Sequence, residues 1–166
     1  MGKIKLRHTQ VRDANRFYDI LNNPNFIFLS AKPKSIKEEK EYLRKTKEKR
    51  KANFEYSFTI IHEGNVVGGI GIKINQHRKY IGEIGYFIDE NYHGLGIATK
   101  AVKILENFGF TKLELKRIEI LMNPRNKASI KVALKSGYLK EGILKKALEN
   151  NGKFEDAIIY AKINND

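Results

Sequence analysis

The residues best suited to chemistry lie in a short loop between a predicted strand and a predicted helix. The strand ends at Ile88, the loop contains Gly94 and Gly96, and a helical pattern begins directly afterwards. Glycines let the backbone approach an anion closely, and the free N–H groups at a helix start point towards it. The loop therefore has the physical character of a phosphate-binding site. The alternative is a tight strand-to-helix turn without a ligand, because two glycines at this spacing are a weak signal.

Two nucleotide-binding motifs do not fit this loop. A Walker loop would require Gly-Lys-Ser/Thr after the glycines, and that sequence is absent. A dinucleotide-binding fingerprint would require a third glycine and a downstream acidic residue, which are also missing. An anion at this loop would therefore have to be held in a different way from these two motifs.

Composition narrows the class of protein. The chain has 166 residues, of which 41% are hydrophobic and 31% charged, and this predicts a single globular domain over residues 1–166. It contains no cysteine, which excludes a disulfide scaffold, a thiol nucleophile and an iron–sulfur cluster. The four histidines have no metal-binding spacing, so no metal is predicted. With no apolar membrane span and no signal peptide, we expect a cytoplasmic protein without a membrane partner.

The charge balance indicates an anionic ligand or partner. The chain carries 32 Lys and Arg against 19 Asp and Glu, a formal net charge of +13. From Ser35 to about Lys51 nearly every residue is charged, which predicts one solvated amphipathic helix. Its basic residues are Lys45, Lys47, Lys49, Arg50 and Lys51. This cluster indicates either docking on RNA or another acidic surface, or an ordinary solvated face, which is the more common case.

The hydrophobic pattern positions the glycine loop within a mixed sheet. Alternating residues predict strands at 54–60, 66–74 and 80–88 that form an antiparallel meander. The strand–helix–strand unit from Tyr80 to Met122 requires a parallel, right-handed crossover. Beyond it, Asn126 is predicted to cap a helix that ends before Gly137, and Asn150-Asn151-Gly152 indicates a hairpin. The fold class is therefore α/β (α+β), with a mixed, mostly antiparallel sheet and helices on both faces.

Several stretches together resemble the GCN5-related N-acetyltransferases (GNAT). The segment His93-Gly94-Leu95-Gly96-Ile97-Ala98 is similar to the family's acetyl-CoA pyrophosphate loop, Gln/Arg-x-x-Gly-x-Gly/Ala, with His93 in the Gln/Arg place. Residues 126–138 resemble the family's Asn-x-x-Ser…Gly-Phe/Tyr helix. Residues 81–88 and 141–156 look like the central strand and C-terminal hairpin of the RimJ/RimL branch, the ribosomal-protein N-terminal acetyltransferases. The resemblance covers nearly the whole chain in the right order.

The resemblance implies that acetyl-CoA is the cosubstrate. In this family two parallel strands splay apart and hold the pantetheine arm, and here these strands are residues 81–88 and 117–122. The main chain of Phe87 and Ile88 is then expected to pair with the pantetheine amides. Asn126 and Ser129 are expected to contact the same arm. The residues implied for the pyrophosphate are His93, Gly94, Leu95, Gly96, Ile97, Ala98 and Thr99.

Acyl transfer to an amine requires the amine to be neutral. A lysine amine has a pKa of about 10.4, whereas an α-amino group with a pKa of about 7.7–8.0 is roughly 10% neutral at pH 7. A general base is therefore useful, and the resemblance implies Glu83; the alternative is a strand glutamate that pairs with a lysine. The family's usual acidic tyrosine position is Ala133 here, so Ser129 is the implied proton donor to the thiolate. Tyr86 and Tyr92 are expected to pack or to line the rim.

These features predict an acetyl-CoA-dependent N-acetyltransferase of a primary amine, first of all the N-terminal α-amine of a ribosomal protein. One alternative is a small-molecule acetyltransferase for an antibiotic, an amino acid or a polyamine, and the two differ in whether acidic residues line the acceptor cleft. A second alternative is a nucleic-acid-binding protein that kept the fold and lost catalysis. Two partner expectations accompany the prediction: proximity to ribosomal RNA through the basic helix, and a homodimer, which is common in the branch.

Overall fold

Seven strands and five α-helices make up the part of the chain that this computed structural model describes, residues 2–29 and 32–165. The strands are β1 (Ile4–His8), β2 (Glu55–His62), β3 (Asn65–Ile74), β4 (Ile81–Ile88), β5 (Arg117–Met122), β6 (Leu139–Asn150) and β7 (Lys153–Ile163). The helices are α1 (Ala14–Leu21), α2 (Ile36–Arg44), α3 (Thr46–Lys51), α4 (Ile97–Thr111) and α5 (Lys127–Lys135). Short 3₁₀ turns lie at Val11–Asp13 and Glu90–Tyr92. No helix in these ranges is long and apolar enough to cross a membrane.

The strands form one mixed sheet in the order β1-β2-β3-β4-β5-β7-β6. Strands β1 to β4 are an antiparallel meander, and β4 and β5 are parallel. The connection between the parallel strands contains α4, because a parallel pair cannot be joined by a tight turn. The mixed, mostly antiparallel sheet predicted from the sequence is confirmed.

Helices cover both faces of the sheet. On the face that carries α4, Ile72 of β3, Ile84 of β4 and Ile118 of β5 are almost fully buried and pack in one cluster with Leu105 of the helix. The opposite face, which carries α1, has a smaller cluster that contains Phe17 and the half-buried Phe87. We call these the α4 face and the α1 face. Because side chains alternate along a strand, neighbouring residues of β4 face different helices.

The charged segment that was predicted to be one helix forms two. Helix α2 is capped by Ser35, whose hydroxyl accepts a hydrogen bond from the Glu38 N–H at 3.1 Å. It ends at Arg44, and α3 begins at Thr46. The buried Thr46 hydroxyl donates to the Leu43 carbonyl at 2.7 Å. A threonine hydroxyl that bonds to a nearby main-chain carbonyl competes with the regular helical pattern, which accounts for the division.

The predicted turns and caps are confirmed. Asn126 accepts a hydrogen bond from the Ser129 N–H at 3.1 Å, which fixes the start of α5. Gly137 follows that helix with a φ of 83°, a value at which glycine is favoured. Asn151 and Gly152 have φ values of 51° and 75°, as the two central residues of a tight hairpin require.

A buried carboxylate ties the N-terminal strand to α1 and β2. Asp13 is 3% exposed and accepts hydrogen bonds from Arg7 at 2.6 and 2.8 Å, from Thr59 at 2.8 Å and from the Gln10 N–H at 2.9 Å. Burial alone would raise the pKa of Asp13. The hydrogen bonds outweigh that effect and hold the pKa below its ordinary value. The ionised form of Asp13 therefore stabilises the fold.

We predict that Asp13→Asn lowers the free energy of unfolding by about 2 kcal/mol at neutral pH, because it weakens hydrogen bonds to a charged group. The folded pKa of Asp13 is depressed, so its contribution is present above the unfolded pKa of about 3.9 and is lost as the pH falls through the folded value. The difference between wild type and variant should accordingly shrink in urea titrations below about pH 4.

Asp156→Asn is the matched control for this prediction. Asp156 also accepts a hydrogen bond from a cation, Lys145, at 2.9 Å, but the side chains are 36% and 80% exposed. Solvent screening makes such a surface pair weak, so this variant should unfold close to the wild-type midpoint. Equal destabilisation by both substitutions would contradict the structural role given to Asp13.

Candidate active site

An opening in the sheet begins where β4 and β5 stop pairing. Their register runs from Ile81 opposite Arg117 to Glu83 opposite Glu119 and then ends. Strand β4 continues to Ile88 and β5 to Met122, so the two strands separate towards their C-terminal ends. Main-chain polar groups between separated strands need other partners. The opening can therefore accept an extended ligand that carries amide groups.

Main-chain direction decides which residues of β4 face this opening. A Cβ atom at Gly68 of β3 would lie 2.1 Å from the Phe87 carbonyl oxygen, so this carbonyl points towards β3. Successive residues of a strand present their main-chain groups to opposite neighbours, which turns Ile88 towards the opening. The sequence expectation that Phe87 and Ile88 both offer their main chains is corrected in this respect. Phe87 instead packs its ring edge-to-face against Phe17, with centroids 5.0 Å apart.

The glycine loop lies at the wide end of the opening. Gly94 and Gly96 adopt φ values of 79° and 71°, in the left-handed region that glycine occupies without strain. Gly96 is the N-cap of α4 and has no side chain to satisfy the first N–H groups of the helix. A Cβ at Gly94 would meet nothing within 4 Å, so the space in front of the loop is open. These features fit a bound pyrophosphate.

Three N–H groups at the start of α4 are available to that anion. The first helical hydrogen bond runs from the Lys100 N–H to the Gly96 carbonyl at 3.1 Å. The N–H groups of Ile97, Ala98 and Thr99 therefore precede the helical ladder. Ile97 is 2% exposed and anchors this turn in the core, whereas Leu95 is half exposed. The backbone of the loop is thus held in place while its N–H groups remain accessible.

Two side-chain contacts hold the loop against the rest of the sheet. His93 donates from Nε2 to the Ile88 carbonyl at 2.9 Å, which closes the segment between the strand and the helix. Asp89 accepts from the Asn91 N–H at 2.9 Å and forms an ion pair with Arg16 of α1. Sequence reasoning assigned His93 to the loop through its main chain and did not foresee this role for the ring.

Glu83 lies at the closed end of the opening. The Ile84 side chain packs on the α4 face, and a Cβ added at Gly82 would point to the same face. The Glu83 side chain between them therefore points to the α1 face. There it borders a cavity of about 290 Å³ together with Lys73 and Glu119. Glu83 is exposed by its surface area, but desolvation by the surrounding residues and then the charge of Glu119 raise its pKa, and Lys73 opposes the rise. A carboxyl group with a raised pKa is a better proton acceptor than an ordinary surface glutamate.

The cavity beside Glu83 contains both acidic and basic groups. Glu119 accepts a hydrogen bond from Arg117 Nε at 2.6 Å, and Lys73 lies opposite Glu83 in the register of β3 and β4. His77 and Phe54 also line it. The carboxylates are therefore nearly balanced by cations. This composition alone does not select between the two acceptor classes considered from the sequence.

Helix α5 brings Ser129 to the other face of the opening. Ser129 is half-buried near the start of the helix, and Ala133, one turn later, is 0% exposed. The structure adds Tyr86 to this group, which sequence reasoning placed with the packing residues. Its hydroxyl is buried without a hydrogen-bond partner, and burial raises the pKa of Tyr86, a rise that Ser129 opposes. The sequence did show that Tyr86 lies on the same strand as Glu83, three residues further on, and therefore on the opposite face of the sheet.

No group of three or more His, Asp or Glu side chains within residues 2–29 and 32–165 is arranged to hold a metal ion. The candidate residues instead form two sets along the opening. The loop and the first turn of α4 lie at its wide end. Glu83 and Ser129 lie on opposite faces nearer its closed end.

This arrangement agrees with comparisons to known proteins. The model of the acetyltransferase (GNAT) domain family matches residues 3–139. The chain therefore belongs to the GNAT acetyltransferase family, and the protein is an acetyl-CoA-dependent N-acetyltransferase. The fold and family expected from the sequence are confirmed.

Relatives support the same class. The chain is 30% identical over 156 residues to the probable N-acetyltransferase YjcK of Bacillus subtilis (strain 168), a match that covers 93% of this chain and 83% of that protein. The structure of ribosomal-protein-S5-alanine acetyltransferase from Vibrio fischeri has a TM-score of 0.88 and 27% identity, covering 100% and 98% of the two chains. The microcin C7 self immunity acetyltransferase MccE, solved in complex with acetyl-CoA and AMP, has a TM-score of 0.88 and 25% identity, covering 98% and 93%. The RimJ/RimL-like character is thereby confirmed.

We predict that Gly94→Ala weakens acetyl-CoA binding more than it destabilises the fold. The left-handed φ of Gly94 costs an alanine about 1–2 kcal/mol, and the added methyl group would project into the open space in front of the loop. Calorimetric titration with acetyl-CoA and a thermal melt measure the two effects separately.

Gly64→Ala is the matched control for the loop variant. Gly64 has a φ of 82°, and a Cβ there also meets nothing within 4 Å, but it lies in the turn between β2 and β3. Both variants should lose similar stability, and only Gly94→Ala should lose affinity. An equal affinity for acetyl-CoA in the two variants would show that the loop does not contact the ligand.

Proposed function

We propose that residues 1–166 act as one domain that acetylates the N-terminal α-amine of a protein, with a ribosomal protein as the first acceptor to test. The observation that carries this proposal is the opening between β4 and β5, which leads from an anion-binding loop to the carboxylate of Glu83. Acetyl-CoA needs an anion site for its pyrophosphate at one end and an extended channel for its pantetheine arm. The channel leads to the thioester at the other end. The reacting thioester then lies near the closed end of the opening.

The cosubstrate is held mainly by main-chain groups in this proposal. The N–H groups from Gly94 to Thr99 bind the pyrophosphate, with Gly94 and Gly96 allowing close approach, whereas the His93 N–H already donates to the Glu90 carbonyl at 3.1 Å. Ile88 offers its N–H to the pantetheine arm or to the oxyanion that develops during the reaction. Asn126 borders the arm at the start of α5, where its side chain already caps the helix.

Glu83 acts as the general base, directly or through a water molecule. The neutral amine nitrogen attacks the thioester carbonyl carbon, a C–N bond forms, and the C–S bond breaks with its electron pair left on sulfur. Glu83 accepts the proton that the nitrogen loses, from the α1 face of the sheet. The departing thiolate requires a proton from the other face, where Ser129 lies.

The ribosomal acceptor is supported by a relative and by amine chemistry. The relative from Vibrio fischeri is named a ribosomal-protein-S5-alanine acetyltransferase and shares the fold over the whole chain. An α-amine is neutral more often than a lysine side chain at pH 7, so the single carboxylate of Glu83 suffices as base.

Three further expectations remain proposals that accompany this acceptor. In this proposal Lys47 and Lys51, which are exposed on α3, face ribosomal RNA, whereas Lys49 is engaged by Glu55 at 2.9 Å. A homodimer is proposed from the branch resemblance. A ribosomal acceptor would also place the enzyme in the cytoplasm.

Thermal unfolding with acetyl-CoA, followed by peptide acetylation, tests the proposed function. At a hundredfold excess over the Kd, binding adds about 2.7 kcal/mol, which corresponds to a Tm rise of roughly 5–10 °C. ATP and dephospho-CoA serve as anion controls. Acetylation is then measured on peptides that begin with alanine or serine, with the same peptides blocked at the N-terminus and with spermidine for comparison. Equal Tm rises with every polyanion, or turnover of spermidine alone, would contradict the proposal.

We predict that Glu83→Gln lowers kcat by about 10²-fold and removes the low-pH limb of the rate profile. In the wild-type enzyme this limb should lie above the ordinary glutamate range, because burial and Glu119 raise the pKa of Glu83. Glu119→Gln should move the limb to lower pH, since it removes a like charge. Lys73→Met should move it to higher pH.

The two neighbour variants are the controls for Glu83→Gln. Both retain the Glu83 carboxyl group and should keep a titrating low-pH limb in kcat measured at saturating acetyl-CoA and peptide. A limb that remains in Glu83→Gln, or that does not respond to Glu119 and Lys73, would show that another group accepts the proton.

A further inference from the structure

Gly85 lies on the central strand of the sheet, on the face from which the acceptor amine approaches Glu83 in the proposed function. It follows Glu83 by two residues on β4, so both residues face the α1 side. Strand β4 is the fourth of seven strands, and its pairing with β5 has already ended at Gly85. Gly85 is nevertheless exposed. The main chain of the middle strand is therefore uncovered directly beside the proposed base.

Packing and backbone conformation do not account for a glycine at position 85. A Cβ at Gly68 would lie 2.1 Å from the Phe87 carbonyl oxygen and one at Gly82 would lie 2.7 Å from Leu115, so those strand positions have no room for a side chain. A Cβ at Gly85 would meet nothing within 4 Å, and its φ is outside the left-handed region. The register of β3 with β4 is also continuous, so no bulge requires the glycine. Because glycine weakens a strand, its presence here indicates that a ligand approaches the main chain closely.

A second glycine extends this uncovered main chain onto β3. Gly71 lies opposite Gly85 in the register, and opposite residues of paired strands share a face. We call the two positions together the bare patch. Along β4 the patch is bounded by Glu83 and Phe87, which are about 13 Å apart. The Phe87 ring is held by its edge-to-face contact with Phe17, so the patch has a carboxylate at one end and an aromatic ring at the other.

The opening between β4 and β5 fixes the depth at which an acceptor must react. A pantetheine arm that pairs with the separated strands lies in the plane of the sheet, and its thioester lies there too. The attacking nitrogen must come to about 3–3.5 Å from the thioester carbonyl carbon. A side chain at position 85 would hold the acceptor above the sheet. The bare patch lets the acceptor descend to the level of the main chain.

We infer that Gly85 is a specificity-determining residue: the first residue of the acceptor lies on the bare patch, with its amine towards Glu83 and its side chain over Gly85 and Gly71. The inference rests on the proposed function and names the residue that limits the size of the first acceptor side chain at that same site. The first side chain branches from the carbon that carries the reacting nitrogen. It is therefore the part of the acceptor that meets the floor of the site.

Gly85→Ala tests the inference, because one methyl group is added to a floor that the fold leaves open. We compare kcat/KM for peptides that differ only in their first residue, which is glycine, alanine or valine. The loss should grow with the size of that residue, and the ratio of kcat/KM for the alanine-first to the glycine-first peptide should fall by about tenfold, within the range that one methylene group commands. The Kd of acetyl-CoA should stay unchanged, since the methyl group projects to the α1 face and not into the opening.

A stability measurement distinguishes this role from a structural one. Alanine and valine both suit a strand better than glycine does. The Tm of Gly85→Ala and of Gly85→Val should therefore equal or exceed that of the wild type, although Gly85→Val should lose more activity on all three peptides. Activity lost through a damaged fold would instead be accompanied by a lower Tm.

Gly142→Ala is the matched control. Gly142 is the other strand glycine within residues 2–29 and 32–165 that combines free space for a Cβ with a φ outside the left-handed region. It lies on β6, the edge strand, three places from β4 in the sheet. This variant should match Gly85→Ala in Tm and should keep the wild-type kcat/KM for all three peptides.

The outcomes separate this inference from the proposed function. Wild-type enzyme that acetylates none of the peptides would overturn both. Active wild type with unchanged kcat/KM for every peptide in Gly85→Ala would overturn the inference alone. An equal loss on all three peptides, a weaker Kd for acetyl-CoA or a lowered Tm in Gly85→Ala would also overturn it, because the methyl group would then act on something other than the first acceptor residue.

Discussion

The loss of pairing between β4 and β5 beyond Glu83 and Glu119 is the constraint on which the site depends. Two parallel strands that stay together would satisfy their own main-chain groups and leave no channel. By separating, they expose N–H and C=O groups that need partners, and an extended amide-containing ligand supplies them. The rest of the structure holds these strands apart and supplies groups at each end. The meander supports β4, and β7 pairs with β5 on its other edge.

The alternation of side chains along one strand gives the opening two chemically different sides. Glu83 projects to the α1 face beside Lys73 and Glu119, where the acceptor amine can approach. Tyr86 projects to the α4 face and packs with its core. The two sides follow from the strand alone, because residues of opposite parity project to opposite faces of the sheet.

Fixed contacts outside the opening hold the phosphate loop in position. The His93 ring bonds to the Ile88 carbonyl, and Asp89 is paired with Arg16 of α1. Ile97 anchors the first turn of α4 in the core. A loop fixed in this way presents its N–H groups without paying a large ordering cost when the anion binds. The glycines are needed because the backbone itself, and not a side chain, makes the contact.

The sequence by itself determined the element order, the glycine loop and the cap at Asn126, because each depends on local patterns of three to ten residues. It also placed Glu83 on a strand, since strand periodicity is visible in a single segment, and the family resemblance implied that this strand is central. Only the tertiary structure decided that Ile88, and not Phe87, turns its main chain to the opening, because that depends on the pairing of β4 with β3. It likewise divided the charged helix at the buried Thr46 and brought the His93 ring to the Ile88 carbonyl. Such contacts depend on how distant elements pack, and no local pattern encodes them.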